Sequence, residues 1–216
     1  MKNEIKFSII TPVYNGQKYI SRFFKSIKQI DFNNKYFELI IIIDDKNHKI
    51  FKIIEKKTKH LPNKKIIINP SRLGPGLSRN KGLNISKGKY ILFLDFDDFL
   101  KSNALKVLKN SIKNNPDFVG FNFEKKDNKT IKNCRKDFKY ISKSKNKRIM
   151  NFLMGEIDGS VIFTCIKKQI IIDNKILFEK ELHEDIYFIF RVYFYSNKFN
   201  LINKSLYIKY NENTSI

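Results

Sequence analysis

An apolar segment that ends in three carboxylates is the part of this sequence best suited to chemistry. Residues 90–98 read Tyr-Ile-Leu-Phe-Leu-Asp-Phe-Asp-Asp, so Asp95, Asp97 and Asp98 directly follow a run typical of a buried strand. Grouped acids repel one another and lose hydration unless a cation lies among them. Oxygen ligands suit Mg²⁺ or Mn²⁺, and such an ion suits a diphosphate. A solvated acidic turn is the alternative, because a D-x-D motif also occurs by chance.

Other charged residues occupy similar positions along the chain. Asp44 and Asp45 follow a second apolar run at 37–43, and Arg79 follows a loop that contains glycine and proline. Arg79 can pair with phosphate or with the acidic cluster, and a surface ion pair is the alternative. The two aspartates can bind a ligand, or they can form an Asx turn that caps the next helix.

The elements that would position these residues alternate between strand and helix. Predicted strands that end at Pro12 or at acids are separated by segments with helical apolar spacing, and the strands cover residues 5–11, 37–43, 65–68 and 90–94. In the second of these helical segments, Ile50, Phe51, Ile53 and Ile54 are expected to face inward. This alternation predicts an α/β fold with a parallel sheet covered by helices. Ligands of such sheets bind beyond the carboxyl ends of the strands, where all five acids fall.

The second half of the chain has a less regular pattern. Helices are predicted at 104–112, 148–154 and 184–195, and strands at 117–123, 161–166 and 205–210. The last helix is aromatic-rich, and its inward face is expected to include Ile186, Phe188, Ile189, Val192 and Tyr193. Glu184 and Asp185 open it, at a helix end that stabilises anions with or without a catalytic role. No repeat or linker divides the chain, so one domain is expected over 1–216.

The charge of the chain is strongly positive, with 43 lysines and arginines against 21 acids and a formal net charge of +22. Lysine, asparagine and isoleucine are abundant throughout, which indicates a compositional bias, and no nucleic-acid-binding module is recognisable. The basic residues concentrate between 125 and 148, which predicts either a solvated loop or a surface that attracts anionic lipids or an acidic substrate. Two separated cysteines, a polar start and short apolar runs favour a cytoplasmic protein, with contact at the inner face of the membrane as an option.

Five motifs in order resemble those of family 2 glycosyltransferases with the GT-A fold, of the bacterial polysaccharide or capsule type. They read Ser-Ile-Ile-Thr-Pro-Val-Tyr-Asn at 8–15, Ile-Ile-Asp-Asp at 42–45, Leu-Gly-Pro-Gly-Leu-Ser-Arg-Asn-Lys-Gly at 73–82, the segment 88–98, and His-Glu-Asp at 183–185. Lys46-Asn47 replaces the usual Gly-Ser after the paired acids, and Ser78 replaces the usual alanine before Arg-Asn. Neither change removes a group that the chemistry requires.

The resemblance implies an inverting, metal-dependent transfer from a UDP-sugar donor to a hydroxyl of a saccharide or lipid-linked saccharide acceptor. The metal would be Mn²⁺ or Mg²⁺, and the setting would be the assembly of a surface polysaccharide, capsule or glycolipid. Residues 1–100 would form the nucleotide-sugar-binding half of a single GT-A domain, and residues 101–216 would form the acceptor-binding half.

The resemblance also assigns roles to individual residues. Thr11, Pro12 and Tyr14 would line the base and ribose pocket, Asp45 would accept the uracil imide hydrogen bond with Asp44 orienting the loop, and Arg79 would contact phosphate. Asp97 would be the principal metal ligand, with Asp95 and Asp98 as a second ligand or as contacts to the ribose and donor sugar. Asp185 would be the general base, with Glu184 and His183 as neighbours of the acceptor or the metal.

Two other classes of protein remain open on the sequence. A non-catalytic nucleotide-binding module would keep the acids at the strand ends without turnover, although the presence of Asp185 together with Asp97 argues against it. A basic protein that binds nucleic acid or a membrane surface would owe its affinity to lysine and lose it steeply with salt.

Overall fold

In the computed structural model, the described residues are 4–46, 48–127, 130–134, 138–180 and 183–210. Within these ranges the strands are β1 (Phe7–Val13), β2 (Phe37–Ile43), β3 (Lys64–Ile68), β4 (Tyr90–Phe93), β5 (Phe99–Leu100), β6 (Phe118–Lys126), β7 (Ile131–Cys134), β8 (Thr164–Lys167) and β9 (Phe199–Tyr210). The helices are α1 (Ile20–Lys28), α2 (His48–Lys57), α3 (Pro75–Ile85), α4 (Ala104–Ser111), α5 (Lys145–Leu153), α6 (Lys168–Asp173) and α7 (Glu184–Tyr195).

All the described strands belong to one mixed sheet with the order β3-β2-β1-β4-β8-β6-β9-β5, and β7 pairs with β6. The first four strands are parallel, as the apolar runs predict. β8 is antiparallel to both β4 and β6, while β9 is parallel to β6. The sheet is therefore mostly parallel, and β5, β7 and β8 run against the common direction. All seven residues of β2 are buried, which explains why its sequence is apolar except at Glu38.

β1 lies at the point where the direction of winding changes. It pairs with β2 on one side and with β4 on the other. Because the connections after β1 and β4 leave toward opposite sides, a crevice opens between them beyond the strand ends. Of the five acids predicted at this edge, Asp44, Asp95 and Asp97 line the crevice, whereas Asp45 and Asp98 do not.

Two close backbone approaches hold α3 and the start of β4 against β1. A Cβ on Gly82 would lie 2.4 Å from Cγ2 of Ile10, and one on Gly88 would lie 2.5 Å from the backbone nitrogen of Ser8. Beneath them the buried Glu38 accepts hydrogen bonds from the Ser8 hydroxyl at 2.6 Å and from the Lys65 ammonium at 2.8 Å. This end of the sheet is fixed by packing and by a paired buried charge, which leaves the opposite end for the site.

Several predicted element bounds were wrong. β1 continues through Pro12 to Val13, which is tolerated because β4 pairs only with Phe7–Ile10, so the end of β1 has a partner on one side. β9 begins at Phe199, and Val161–Phe163 is a 3₁₀ turn instead of a strand. Two residues expected to face inward are exposed, Ile53 by 43% and Ile186 by 44%, because each lies on the solvent flank of its helix.

The basic segment at 125–148 is only partly described, because Lys129, Arg135, Lys136 and Asp137 lie outside the described residues. Arg148 is 1% exposed and therefore does not belong to a solvated surface. It donates hydrogen bonds to the carbonyls of Tyr193 at 2.9 Å and Ser196 at 2.7 Å, at the carboxyl end of α7. The charge thus satisfies carbonyls that the helix leaves open. None of the described helices is long and apolar enough to cross a membrane.

Candidate functional site

A cleft of about 320 Å³ opens beyond the carboxyl ends of β1, β2 and β4. It brings together residues from the segments that follow these three strands, from the loop before α3 and from α3 itself. The lining residues are Pro12, Val13, Tyr14, Tyr19, Asp44, Arg72, Gly74, Pro75, Arg79, Asp95, Phe96 and Asp97. Six of the twelve predicted site residues therefore line one cavity, namely Pro12, Tyr14, Asp44, Arg79, Asp95 and Asp97.

Asp95, Asp97 and Asp98 form a tight turn directly after β4, closed by a 3.1 Å hydrogen bond from the Asp98 amide to the Asp95 carbonyl. Asp95 and Asp97 line the cleft and are partly exposed. Burial raises the pKa of the Asp97 carboxyl, and repulsion from Asp95 adds to the effect. A cation between these two carboxylates would relieve that repulsion.

Asp98 points away from the cleft toward β9 and is 2% exposed. Its carboxylate accepts hydrogen bonds from the Tyr207 hydroxyl and from the Tyr210 amide, both at 2.7 Å. Burial raises its pKa to about 7, with repulsion from the neighbouring acids, against the opposing effect of these hydrogen bonds. The Tyr207 oxygen also accepts the amide hydrogen of Asp95 at 3.3 Å, so β9 holds the acidic turn in place.

Arg79 connects the acidic turn to α7. Its guanidinium donates to Asp95 at 2.8 Å and to Glu184 at 2.9 Å, and the residue is 6% exposed. Burial lowers the pKa of Arg79, but Asp95, then Glu184 and Asp185, more than offset this effect and hold the pKa above its usual value. Arg79 therefore stays charged and ties Asp95 to Glu184, which lies 105 positions away from Arg79 in the sequence.

Glu184 and Asp185 form the first turn of α7, after His183, which is exposed and has a positive φ of 61°. Burial raises the pKa of Asp185, as does Glu184, while Arg79 and backbone amides oppose the rise. The start of α7 lies close to α3, because a Cβ on Gly76 would be 2.6 Å from Cγ of Glu184. Asp185 is thus a half-buried carboxylate next to the ion-paired centre of the site.

Asp44 organises the other end of the cleft. One of its oxygens accepts hydrogen bonds from the Asn69 side chain at 2.7 Å and the Leu73 amide at 2.8 Å, and the other accepts from the Gly74 amide at 2.8 Å. Gly74 has a φ of +90°, a conformation that disfavours other residues. Asp44 is 2% exposed, so its carboxylate fixes the loop that forms one wall of the cleft.

At this end of the cleft the guanidinium of Arg72 lies over the exposed ring of Tyr14. The guanidinium carbon of Arg72 lies 4.1 Å from the ring centre of Tyr14, which is 45% exposed. Within the described ranges, no carboxylate lies within salt-bridge distance of Arg72. The cleft thus contains a cation that is not neutralised by an acid, beside an aromatic surface on which a planar ring can stack.

The remaining predicted residues are close to the cleft, but not all of them line it. Pro12 is a lining residue, whereas Thr11 is fully buried beneath the surface and its hydroxyl has no hydrogen-bond partner in the described part of the chain. Asp45 is partly exposed next to Asp44 and does not contribute to the lining. The sequence reading missed Tyr19, Arg72 and Tyr207. Arg72 stands in a recognised loop, but nothing local signals the contact of Tyr207 with Asp98.

The donors at the acidic turn fit a divalent cation only in part. Among the described residues there is no group of three or more His, Cys, Asp or Glu side chains that could hold a metal ion. Among the described residues of the acidic turn, Asp95 and Asp97 line the cleft, and the third acid in its lining, Asp44, is bound by the Asn69 side chain and by loop amides. Mg²⁺ in nucleotide sites commonly takes one or two carboxylates and completes its shell with phosphate oxygens and water. The residues therefore fit an ion that arrives with a diphosphate.

Comparison with known proteins gives a consistent result. Residues 8–177 match the family model described as "Glycosyl transferase family 2". Poly(ribitol-phosphate) beta-N-acetylglucosaminyltransferase TarS of Staphylococcus aureus is 34% identical over 102 residues, which are 47% of this chain and 18% of that protein. A GalNAc(5)-diNAcBac-PP-undecaprenol beta-1,3-glucosyltransferase of Campylobacter jejuni is 29% identical over 173 residues, 79% of this chain and 54% of that one.

A solved structure of residues 1–349 of Staphylococcus aureus TarS in complex with UDP superimposes with a TM-score of 0.81 at 25% identity. The match covers 96% of this chain and 61% of that one. The two sequence relatives and this structure are thus longer than the present chain, which spans between 18% and 61% of their lengths.

Proposed function

The chain belongs to glycosyl transferase family 2 and has the GT-A fold, and on this basis we propose that it transfers a sugar from a UDP-sugar to a hydroxyl of a saccharide acceptor. The observation that carries the proposal is the junction at Arg79, which joins Asp95 of the acidic turn to Glu184 beside Asp185. The junction links a candidate diphosphate site, which lines the cleft, to a candidate base at the start of α7, although His183, Glu184 and Asp185 are not themselves lining residues.

Uridine binding is assigned to the end of the cleft formed by Tyr14, Pro12 and the loop held by Asp44. The Tyr14 ring offers a flat surface for the base, and Asp45 is the acceptor proposed for the uracil imide hydrogen. Thr11 supports this wall from below. The complex of a similar protein with UDP supports the choice of nucleotide.

The diphosphate is assigned to the part of the cleft between Arg72 and the acidic turn. Asp97 and Asp95 would hold a Mn²⁺ or Mg²⁺ ion, which would neutralise charge on the leaving nucleotide. Asp98 and Tyr207 keep the turn in shape, and Arg79 balances the charge of Asp95. Arg72 supplies a positive charge with which no acid in the described part of the chain forms a salt bridge.

Asp185 is assigned as the general base. It would take the proton of the acceptor hydroxyl, whose oxygen forms a bond to the anomeric carbon while the bond from that carbon to the UDP oxygen breaks. Attack from the face opposite the leaving group inverts the anomeric configuration. The raised pKa of Asp185 suits a base that must hold this proton. His183 and Glu184 are assigned as neighbours of the acceptor or the metal.

The assembly of a surface glycan is the setting proposed for the acceptor. The names of two relatives support it, since one is a poly(ribitol-phosphate) N-acetylglucosaminyltransferase and the other a glucosyltransferase named for an undecaprenol-linked glycan. The chain's net charge of +22 is compatible with an acceptor that carries phosphate.

The proposal is tested by measuring UDP release from a panel of UDP-sugars, with Mn²⁺ or with EDTA. We expect release from one donor, which is lost with EDTA and in Asp97→Ala. Asp31→Asn serves as a control because Asp31 is an exposed acid far from the cleft. Binding of UDP without turnover of any donor, even with acceptor glycans present, would indicate a non-catalytic nucleotide-binding module. No binding of UDP at all would contradict the donor assignment.

A further inference from the structure

The outer surface of α1 and α2 carries five clustered lysines that the proposed reaction does not use. A groove of about 990 Å³ between the two helices is lined by Lys25, Lys28, Lys52, Lys56, Lys57 and His60. In the described part of the chain, no acid contributes to this lining. We refer to the surface formed by these six residues, together with Phe24 and Ile53, as the α1–α2 face.

The floor of the α1–α2 face is apolar. Phe24 is 5% exposed at the base of the groove, and Ile53 is 43% exposed between the lysines of α2. The lysine side chains around them have hydrocarbon stems, so their charges form a rim above an apolar surface. Helical periodicity alone would place Ile53 in the core, but the structure leaves it accessible within a ring of positive charge.

We propose that the α1–α2 face docks the protein on an anionic membrane surface. Lysines of the rim would lie among the lipid phosphates, and Ile53 would enter the boundary between headgroups and acyl chains. A hydrophilic polyanion such as nucleic acid would use the charges but not the apolar floor, so the combination favours lipid. This inference does not depend on the identity of the donor or acceptor.

Docking by this face leaves the catalytic cleft open. No residue lines both the cleft and the groove. The two are nevertheless close along the chain, because α1 begins immediately after Tyr19, which lines the cleft. A protein bound in this way would hold its cleft beside the membrane and not against it, a suitable position for a lipid-linked acceptor.

The test is co-sedimentation of the whole chain with vesicles of phosphatidylcholine alone or mixed with phosphatidylglycerol. The variants are Lys52→Gln/Lys56→Gln and Ile53→Ser. The matched control is Lys109→Gln/Lys113→Gln, which removes the same charge from two exposed positions, one in α4 and one just beyond it. We expect the wild type to bind only the anionic vesicles. The α2 double variant should bind about 30-fold more weakly, Ile53→Ser several-fold more weakly, and the α4 control nearly as well as the wild type.

Four results would overturn the proposal: no binding of the wild type to anionic vesicles, equal binding to both vesicle types, an equal loss in the α4 control, or no effect of Ile53→Ser. Binding to long-chain polyphosphate that is lost in the α2 double variant, without vesicle binding, would indicate a soluble polyanion as the partner instead. Thermal unfolding and UDP affinity of each variant are measured in parallel. An unchanged UDP affinity shows that the cleft is intact. Loss of vesicle binding with normal UDP affinity therefore concerns the α1–α2 face alone, whereas absence of UDP binding concerns the proposed donor.

Discussion

At the scale of single residues, the charges of the cleft define what it can bind. The Arg79 guanidinium is ion-paired with Asp95 and Glu184, and the Asp44 carboxylate accepts hydrogen bonds from backbone amides of the protein. Asp97 and Arg72 are the lining residues of opposite charge that have no such side-chain partner among the described contacts. An anionic ligand that brings a cation would satisfy both, which is why a nucleoside diphosphate with a divalent metal fits this cleft.

Arg72 provides a prediction that separates phosphate binding from base binding. Arg72→Ala should weaken UDP binding by about tenfold or more, because a charge-assisted hydrogen bond is lost, and should change uridine binding little. Tyr14→Ala should weaken both ligands, and Arg72→Lys should retain part of the UDP affinity. Isothermal titration with UDP and uridine measures these differences. A parallel loss for both ligands in Arg72→Ala would refute the phosphate contact.

Asp185 provides a prediction about pH. Its pKa is raised, first by burial and then by Glu184, and it must be deprotonated to act as a base. Transfer activity should therefore fall as the pH drops through a value above the ordinary range of aspartate. Asp185→Asn should bind UDP normally and lose transfer by about 10²-fold or more. The profile of kcat/KM against pH, with UDP affinity as the control, checks both points, and undiminished transfer in Asp185→Asn would exclude the role.

At the scale of elements, the site depends on the close contact between α3 and α7. Gly76 is the residue of α3 that allows it, since a Cβ there would lie 2.6 Å from Glu184 and 3.1 Å from the Glu179 carbonyl. The contact brings Arg79 of α3 to Glu184 and so sets the distance between the acidic turn and the candidate base.

Gly76→Ala should therefore impair activity by moving the start of α7 away from α3 and disrupting the ion pair of Arg79 with Glu184. We expect a fall in kcat that is larger than the loss of thermal stability can explain. Gly155→Ala is the matched control, because Gly155 has a φ of +75° but open space around it, far from the cleft. If both variants lose activity only in proportion to their stability, the contact does not position the site.

Some strands and helices could be predicted from the sequence and others could not. The parallel half could be predicted because its strands are apolar runs that end at acids or proline, and α7 has the predicted bounds. The predicted strand at 205–210 was shorter than β9 because Asn200, Asn203 and Lys204 interrupt the apolar pattern at the start of β9. In the structure this part of the strand is held by pairing with β6, whose register with β9 is irregular. Such pairing between distant segments leaves no local signal.

At the scale of the whole molecule, long-range contacts decide the roles that motifs leave open. Asp98 belongs to the acidic motif, but Tyr207, 109 positions away, turns it to a supporting role. Arg148 belongs to the most basic segment, but the fold buries it against the end of α7. Five lysines of α1 and α2 line one surface groove, a grouping in space that the linear sequence does not reveal.

The donor assignment is tested most directly by determining the structure of the protein with UDP and Mn²⁺ bound. We expect the uracil ring beside Tyr14 and the Asp44 loop, the diphosphate near Arg72, and the metal ion bound by Asp97 and by phosphate oxygens. A nucleotide bound outside this cleft, or a diphosphate directed away from Asp97 and Arg72, would contradict the proposed site.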